Sequence, residues 1–221
     1  MIKKTIEGIL AGILISLGGS VFLALATTST IDPPRIGNGF DGKVAGAFFF
    51  TVALLCICYK GYSLFTGKVG YLPESHTKED VSVLLWGLLG NVIGTLLCGV
   101  LVALALPALH DNAEIISAAK LTQAWWQTLI RAFFCGILMY LAVSIFRDKK
   151  TPAAILFCVP VFILAGFEHS VADMFYFAAG YSFDLKTLLF IVVVLVGNAL
   201  GGMILPALRI LGEKTVKKEE N

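Results

Sequence analysis

AGFEHSVADMFYF, residues 165–177, sets three ionisable side chains, Glu168, His169 and Asp173, in an apolar neighbourhood. The run before it, ILFCVPVFIL (155–164), holds no charge at all. A charge at the centre of a bilayer costs from about 3 to over 10 kcal/mol. Such a segment therefore reads as a helix interrupted at membrane depth, provided that the rest of the chain is built for a membrane.

It is. Of 221 residues, 57% are hydrophobic and only 14% charged, against about 25% charged in soluble domains. Mean hydropathy is +0.86. The composition is that of a polytopic membrane protein. The net charge of +2 and the lack of a basic block speak against nucleic acid. Lys3 and Lys4 precede an uncharged run from Gly8 to Ile31. That run exceeds the about 7–15 residues of a signal-peptide core, so it is expected to stay as a first helix. Cys56, Cys58, Cys98, Cys135 and Cys158 all lie in apolar segments, which favours packing roles over disulfides or metal ligation.

A transmembrane helix needs roughly 20 mostly apolar residues. Six segments qualify, at about 6–28, 44–64, 82–106, 125–146, 152–178 and 187–210, leaving no soluble domain. Among the intervening segments are DPPRIGNGFDG (32–42), with Arg35, and PESHTKED (73–80). Twelve of the 17 Lys and Arg residues fall on one side when both termini are placed in the cytoplasm, which decides that orientation.

The second span is interrupted near Lys60, Gly61 and SLFTG (63–67), the fifth by Glu168, His169 and Asp173. LLGNVIG (88–94) in the third span answers LVGNALG (195–201) in the sixth. Each Gly-Asn-x-x-Gly puts close-approach glycines beside an amide, Asn91 or Asn198, that must find a partner in hydrocarbon. With three spans per half, the halves have opposite topologies. The expected fold is a single all-α membrane domain over 1–221. Its six transmembrane helices form a 3+3 inverted repeat, about 5–110 and 121–212, with helices 2 and 5 broken and the site where they meet.

Irregular backbone at that depth has to line a cavity or be satisfied by protein. Leu64, Phe65 and Phe167 offer apolar wall, Thr66 a hydroxyl, and His169 a ring suited to proton exchange near neutral pH. That lining suits small monovalent anions of weak acids and disfavours divalent ones. Other readings stay open. His169 can simply bond a loop carbonyl. Glu168 is expected to accept backbone N–H groups at the break. Asp173, four residues after His169, can pair with it or cap a restarting helix. No metal site is expected, because no further His or Cys stands at ligand spacing.

GFEHSVADMFYF, SLFTG and the paired GNxxG helices closely resemble the formate/nitrite transporter family, whose members pass formate, nitrite and hydrosulfide. The resemblance covers nearly the whole chain. It implies an aquaporin-like topology, a homopentamer with one pore per protomer in the inner membrane, and no enzymatic activity or cofactor. It implies passage of formate, nitrite, and hydrosulfide, acetate or lactate, with or without protons. His169 would be the central pore residue, faced by Thr66, with Leu64 and Phe65 helping to form the constrictions and Phe167 in the same apolar lining. Asn198 would support the pore, with Asn91 its mirror, and Glu168 would brace the loop. Three positions depart from the family pattern. Asp173 stands where the family has Asn. Gly136 replaces an Asn of the fourth span. The family's anion-attracting Lys corresponds to Lys149 or Lys150, or is replaced by Thr151. The alternative is a neutral-solute pore of the aquaporin or urea-channel type.

Overall fold

The computed structural model describes residues 1–26 and 40–219. The expected end of the first span at 27–28, and the segment from 32 to 39 with Arg35, lie outside the described residues. Helices account for the regular structure described: α1 (Ile2–Ala26), α2 (Phe40–Lys60), α3 (Phe65–Lys68), α4 (Lys78–Ala105), α5 (Pro107–Leu121), α6 (Trp125–Lys149), α7 (Ala153–Leu164), α8 (Ser170–Ala179) and α9 (Leu185–Glu219), with a 3₁₀ turn at Val69–Tyr71.

Five of these, within α1, α2, α4, α6 and α9, are long and apolar enough to cross a membrane. The sixth expected span, 152–178, is two shorter helices, α7 and α8. Helix α2 stops at Lys60, four residues short of expectation. Helix α4 starts four residues early because Thr77 and Asp80 form a reciprocal cap: the Thr77 hydroxyl accepts from the Asp80 N–H (3.2 Å) and the Asp80 carboxylate from the Thr77 N–H (3.1 Å). Helix α4 ends at Ala105, one residue from the expected end at 106, although the uncharged run continues to His110. Pro107 opens α5, where its missing N–H costs nothing.

Glycine decides the helix crossings. Helix α1 packs along α4, and α6 along α9. A Cβ at Gly90 or Gly94 would strike the backbone oxygen of Thr5 or Ile9, and one at Gly201 that of Phe133. Both GNxxG motifs therefore act as close-contact seams, where backbones approach through small residues. Gly136 lies in the second seam, against the Asn198 carbonyl.

All ten residues of α8 are buried. It packs against α1, α4, α5 and α9, so its polar start sits inside the protein. Large apolar side chains such as Leu85, Leu101, Leu188 and Leu189 lie on the outside. Trp125 and Trp126 open α6 and are 68% and 51% exposed, as suits a lipid-facing surface.

Candidate functional site

Two non-helical segments, 61–64 and 165–169, are built alike. After α2, Gly61 turns the chain with a φ of 69° that suits glycine, and the Tyr62 N–H reaches back to the Ile57 carbonyl (3.0 Å). After α7, Gly166 turns the chain with φ 71°, and the Phe167 N–H reaches the Phe162 carbonyl (2.9 Å).

One asparagine then pins each segment. The Asn91 amide donates to the carbonyls of Gly8 (2.9 Å) and Ser63 (2.8 Å), while its oxygen accepts from the Phe65 N–H (2.9 Å). The Asn198 amide donates to the carbonyls of Ala132 and Glu168 (both 2.8 Å), and its oxygen accepts from the Ser170 N–H (2.9 Å). Both side chains are fully buried. Each ties a neighbouring helix to both sides of an interruption, which answers how backbone groups there are satisfied.

Across the interior, the Thr66 hydroxyl lies 2.8 Å from Nε2 of His169. The other ring nitrogen, Nδ1, accepts the Ala172 N–H (3.1 Å), so His169 caps its own helix. With Nδ1 accepting, a neutral ring carries its proton on Nε2 and donates it to Thr66 Oγ1, a tautomer assigned from the hydrogen-bond pattern. The Thr66 hydroxyl proton is then free to donate elsewhere. Phe162 stacks on the ring, with centroids 5.6 Å apart at 17°.

Two cavities lie near this pair: His169 borders one, and Leu64 and Gly67, neighbours of Thr66 in the chain, border the other. One, of about 450 Å³, is bordered by the last turns of α2 and by Leu64, Lys68, Arg147 and Lys150. The other, of about 780 Å³, is bordered by the first half of α2 and by Phe167, Glu168, His169, Lys120, Arg131 and Lys43. They therefore open at opposite ends of α2, with Leu64 walling the first and His169 the second. Phe65 belongs to the buried core and borders neither. Phe167 is half-buried and stacks on Phe134 (5.4 Å, 24°).

Each cavity has a polar cluster. In the first, Lys68 donates to the Ser63 hydroxyl (3.0 Å), which donates to Glu7 (3.2 Å), itself paired with Lys4. In the second, the Lys120 ammonium binds the Glu168 carboxylate and lies 2.9 Å from Asp173 Oδ1. Gln123 donates to the other Glu168 oxygen (2.7 Å).

Residues 1–211 match the family model for formate/nitrite transporters. The chain belongs to the formate/nitrite transporter family. It is thus a multi-pass membrane protein of a family of transporters, not of enzymes. The uncharacterized transporter YwcJ of Bacillus subtilis is 30% identical over 61% of the chain; the match spans 58% of that protein's length. A protein named "Probable formate transporter" from Methanothermobacter thermautotrophicus is 29% identical, covering 93% of the chain and 86% of its own length. A solved pentameric formate channel with formate bound superposes with a TM-score of 0.74 at 21% identity, over 96% of this chain and 97% of that one.

Against the family pattern, several expectations shift. Glu168 does not take the backbone N–H groups at the break, which go to Asn198 and His169; its carboxylate takes side-chain donors instead. The Asp173 carboxylate neither pairs with His169 nor caps the helix, because Lys120 draws it away. Lys150 borders the Leu64 cavity and Lys149 ends α6, so neither meets Glu168. Lys120 does, and it was not singled out from the sequence. The signal was available: a lone cation in EIISAAKL (114–121), in a chain whose buried Glu168 required a partner. Gly136 faces Asn198, whereas the preceding Cys135, fully buried, lies within electrostatic reach of Glu168 and Asp173.

Proposed function

We propose that the chain is a channel or transporter for small monovalent anions of weak acids, formate and nitrite first, with hydrosulfide and acetate as further substrates. The observation that carries this reading is the Thr66–His169 hydrogen bond: His169 borders one cavity, and Leu64 and Gly67, neighbours of Thr66 in the chain, border the other, at the opposite end of α2. With Nε2–H directed at Thr66 Oγ1, the hydroxyl presents its own proton to a passing anion, in surroundings walled by Leu64 and Phe162. One hydroxyl donor and one polarising ring suit a single charge. A divalent anion would need two compensating charges there.

His169 assists protonation of the anion in this reading. A neutral Nε2–H ring cannot surrender its proton without forming an imidazolate, so the proton must first be supplied from outside. Taking it on Nδ1 would release the Ala172 N–H, and the Nε2 proton could then pass through Thr66 to the anion. Leu64 forms one constriction and Phe167 the apolar approach on the other side, with Phe65 packed behind. Asn91 and Asn198 hold the two segments, and Glu168 and Asp173 act as support or proton circuit.

The same reading takes the chain as one domain, 1–221, of six spans in a 3+3 inverted repeat, about 5–110 and 121–212, with the second and fifth broken. The matched Gly61/Gly166 turns and Asn91/Asn198 hydrogen bonds support it. Both termini lie in the cytoplasm, in the inner membrane. The protein assembles as a homopentamer, by likeness to the solved pentameric channel. Reconstitution into proteoliposomes tests the function. Formate, nitrite and hydrosulfide should enter, and sulfate should not. Passage of urea or water unaffected by these anions would favour a neutral-solute pore instead.

A further inference from the structure

The ion cluster beside His169 is not balanced. One ammonium, Lys120, stands between two carboxylates, Glu168 and Asp173, whose side chains are 2% and 1% exposed. Gln123 completes the hydrogen bonding of Glu168. Asp173 Oδ2 remains buried without a hydrogen bond, although the Glu168 and Asp173 side chains interact with each other.

Other charged or titratable groups face this pair from every side, and none of them cancels the surplus. From α8, Tyr176 presents its ring 5.9 Å from the Lys120 ammonium, and His169 has both ring nitrogens engaged. From α6, Cys135 is the buried neighbour. Arg131 of α6 and Lys43 of α2 border the same cavity but are exposed, and neither forms an ion pair with these carboxylates among the described residues. A buried ion pair is tolerated only when its remaining lone pairs and charges are satisfied. A second carboxylate on the same ammonium leaves one negative charge and one orphaned oxygen.

A single proton removes both defects. A carboxyl on either residue can donate to its neighbour, giving the orphaned oxygen a partner and bringing the cluster to neutrality. We propose that the Glu168–Asp173 pair is a proton-binding site in the cavity that leads to His169, loaded from the water side of that cavity. Unprotonated, the pair repels an arriving anion. Protonated, it lets the anion approach Thr66 and His169. The site thus makes anion entry from this end depend on proton binding. The inference rests on the anion-pathway reading above and extends it to a proton site that the family's Asn would not provide.

Two readouts on the full chain in proteoliposomes test it. Infrared difference spectra between neutral and acid pH should show a carboxylic-acid C=O band, lost in Asp173→Asn. Formate uptake through this end should rise on acidification in the unaltered protein. In Asp173→Asn it should be raised at neutral pH and rise less on acidification, keeping only the part that His169 carries. Glu168→Gln removes the surplus charge through the other partner, and it serves if Asp173→Asn fails to assemble. A band and a pH profile that persist undiminished in both variants would overturn the proposal. If the unaltered protein takes up no formate at any pH, the transport reading fails, while the infrared band still reports on the proton site.

Discussion

Thr66 and His169, 103 positions apart in sequence, share a 2.8 Å hydrogen bond in the buried centre of the molecule. The bond joins the short helix after the first interruption to the residue that caps the helix after the second. It exists because both interruptions bring polar groups to the same depth, where each group's best partner is the other.

Replacing Thr66 by Val keeps the shape and removes the acceptor. A buried hydrogen bond left half-made costs about 1–3 kcal/mol. Formate uptake should fall by roughly a factor of ten or more on that scale, and Thr66→Ser should restore most of it. Flux in proteoliposomes, normalised to assembled protein, reads this directly.

Asn91→Ala and Asn198→Ala should each destabilise the protein strongly. Each substitution orphans one backbone N–H and the carbonyl of the interruption, Ser63 or Glu168, at about 1–3 kcal/mol apiece. Because the two networks are equivalent, the losses should be similar. Thermal unfolding in detergent measures them, and a much milder effect at one site would show that its bonds are not needed.

Lys120→Met should be worse than its modest exposure suggests. It leaves Glu168 and Asp173 buried without a counter-ion, and breaking a buried pair in this way costs about 3–5 kcal/mol. Combining Lys120→Met with Glu168→Gln and Asp173→Asn should recover much of the lost yield, as measured by size-exclusion chromatography. No recovery would mean that Lys120 serves chiefly through its packing on Tyr176.

Gly94→Leu and Gly201→Leu should each prevent close approach of α4 to α1 or of α9 to α6, since a Cβ already meets the opposing backbone. Loss of folded protein in membrane extracts is the expected result. Gly212→Ala, where no atom lies within 4 Å of an added Cβ, should be silent.

Much of this architecture was legible because membrane burial makes polar residues conspicuous. Glu168, His169 and Asp173 stood out against apolar flanks, and two amides in GNxxG settings demanded partners that the structure supplies. What escaped the sequence depended on distance. Lys120 finds Glu168 across 48 positions, and its place as the lone cation of EIISAAKL does not name its partner. Helix α5 also escaped, because hydropathy registers Pro107 only as another uncharged residue, while its geometry starts a new helix. The role expected of Glu168 went elsewhere for a similar reason: Asn198, on a distant helix, reaches the backbone at the break first. Phe162 was also missed, since a phenylalanine in an apolar run carries no sign that it will stack on a histidine.

The central claim is that weak-acid anions pass by way of the Thr66–His169 pair. Formate uptake by the unaltered protein and by His169→Ala, each reconstituted under an inward proton gradient and checked for intact assembly, tests it most directly. The account predicts rapid uptake by the unaltered protein and strongly reduced acid-linked uptake by the variant. Equal uptake by the two, or none by the correctly assembled unaltered protein, would contradict it.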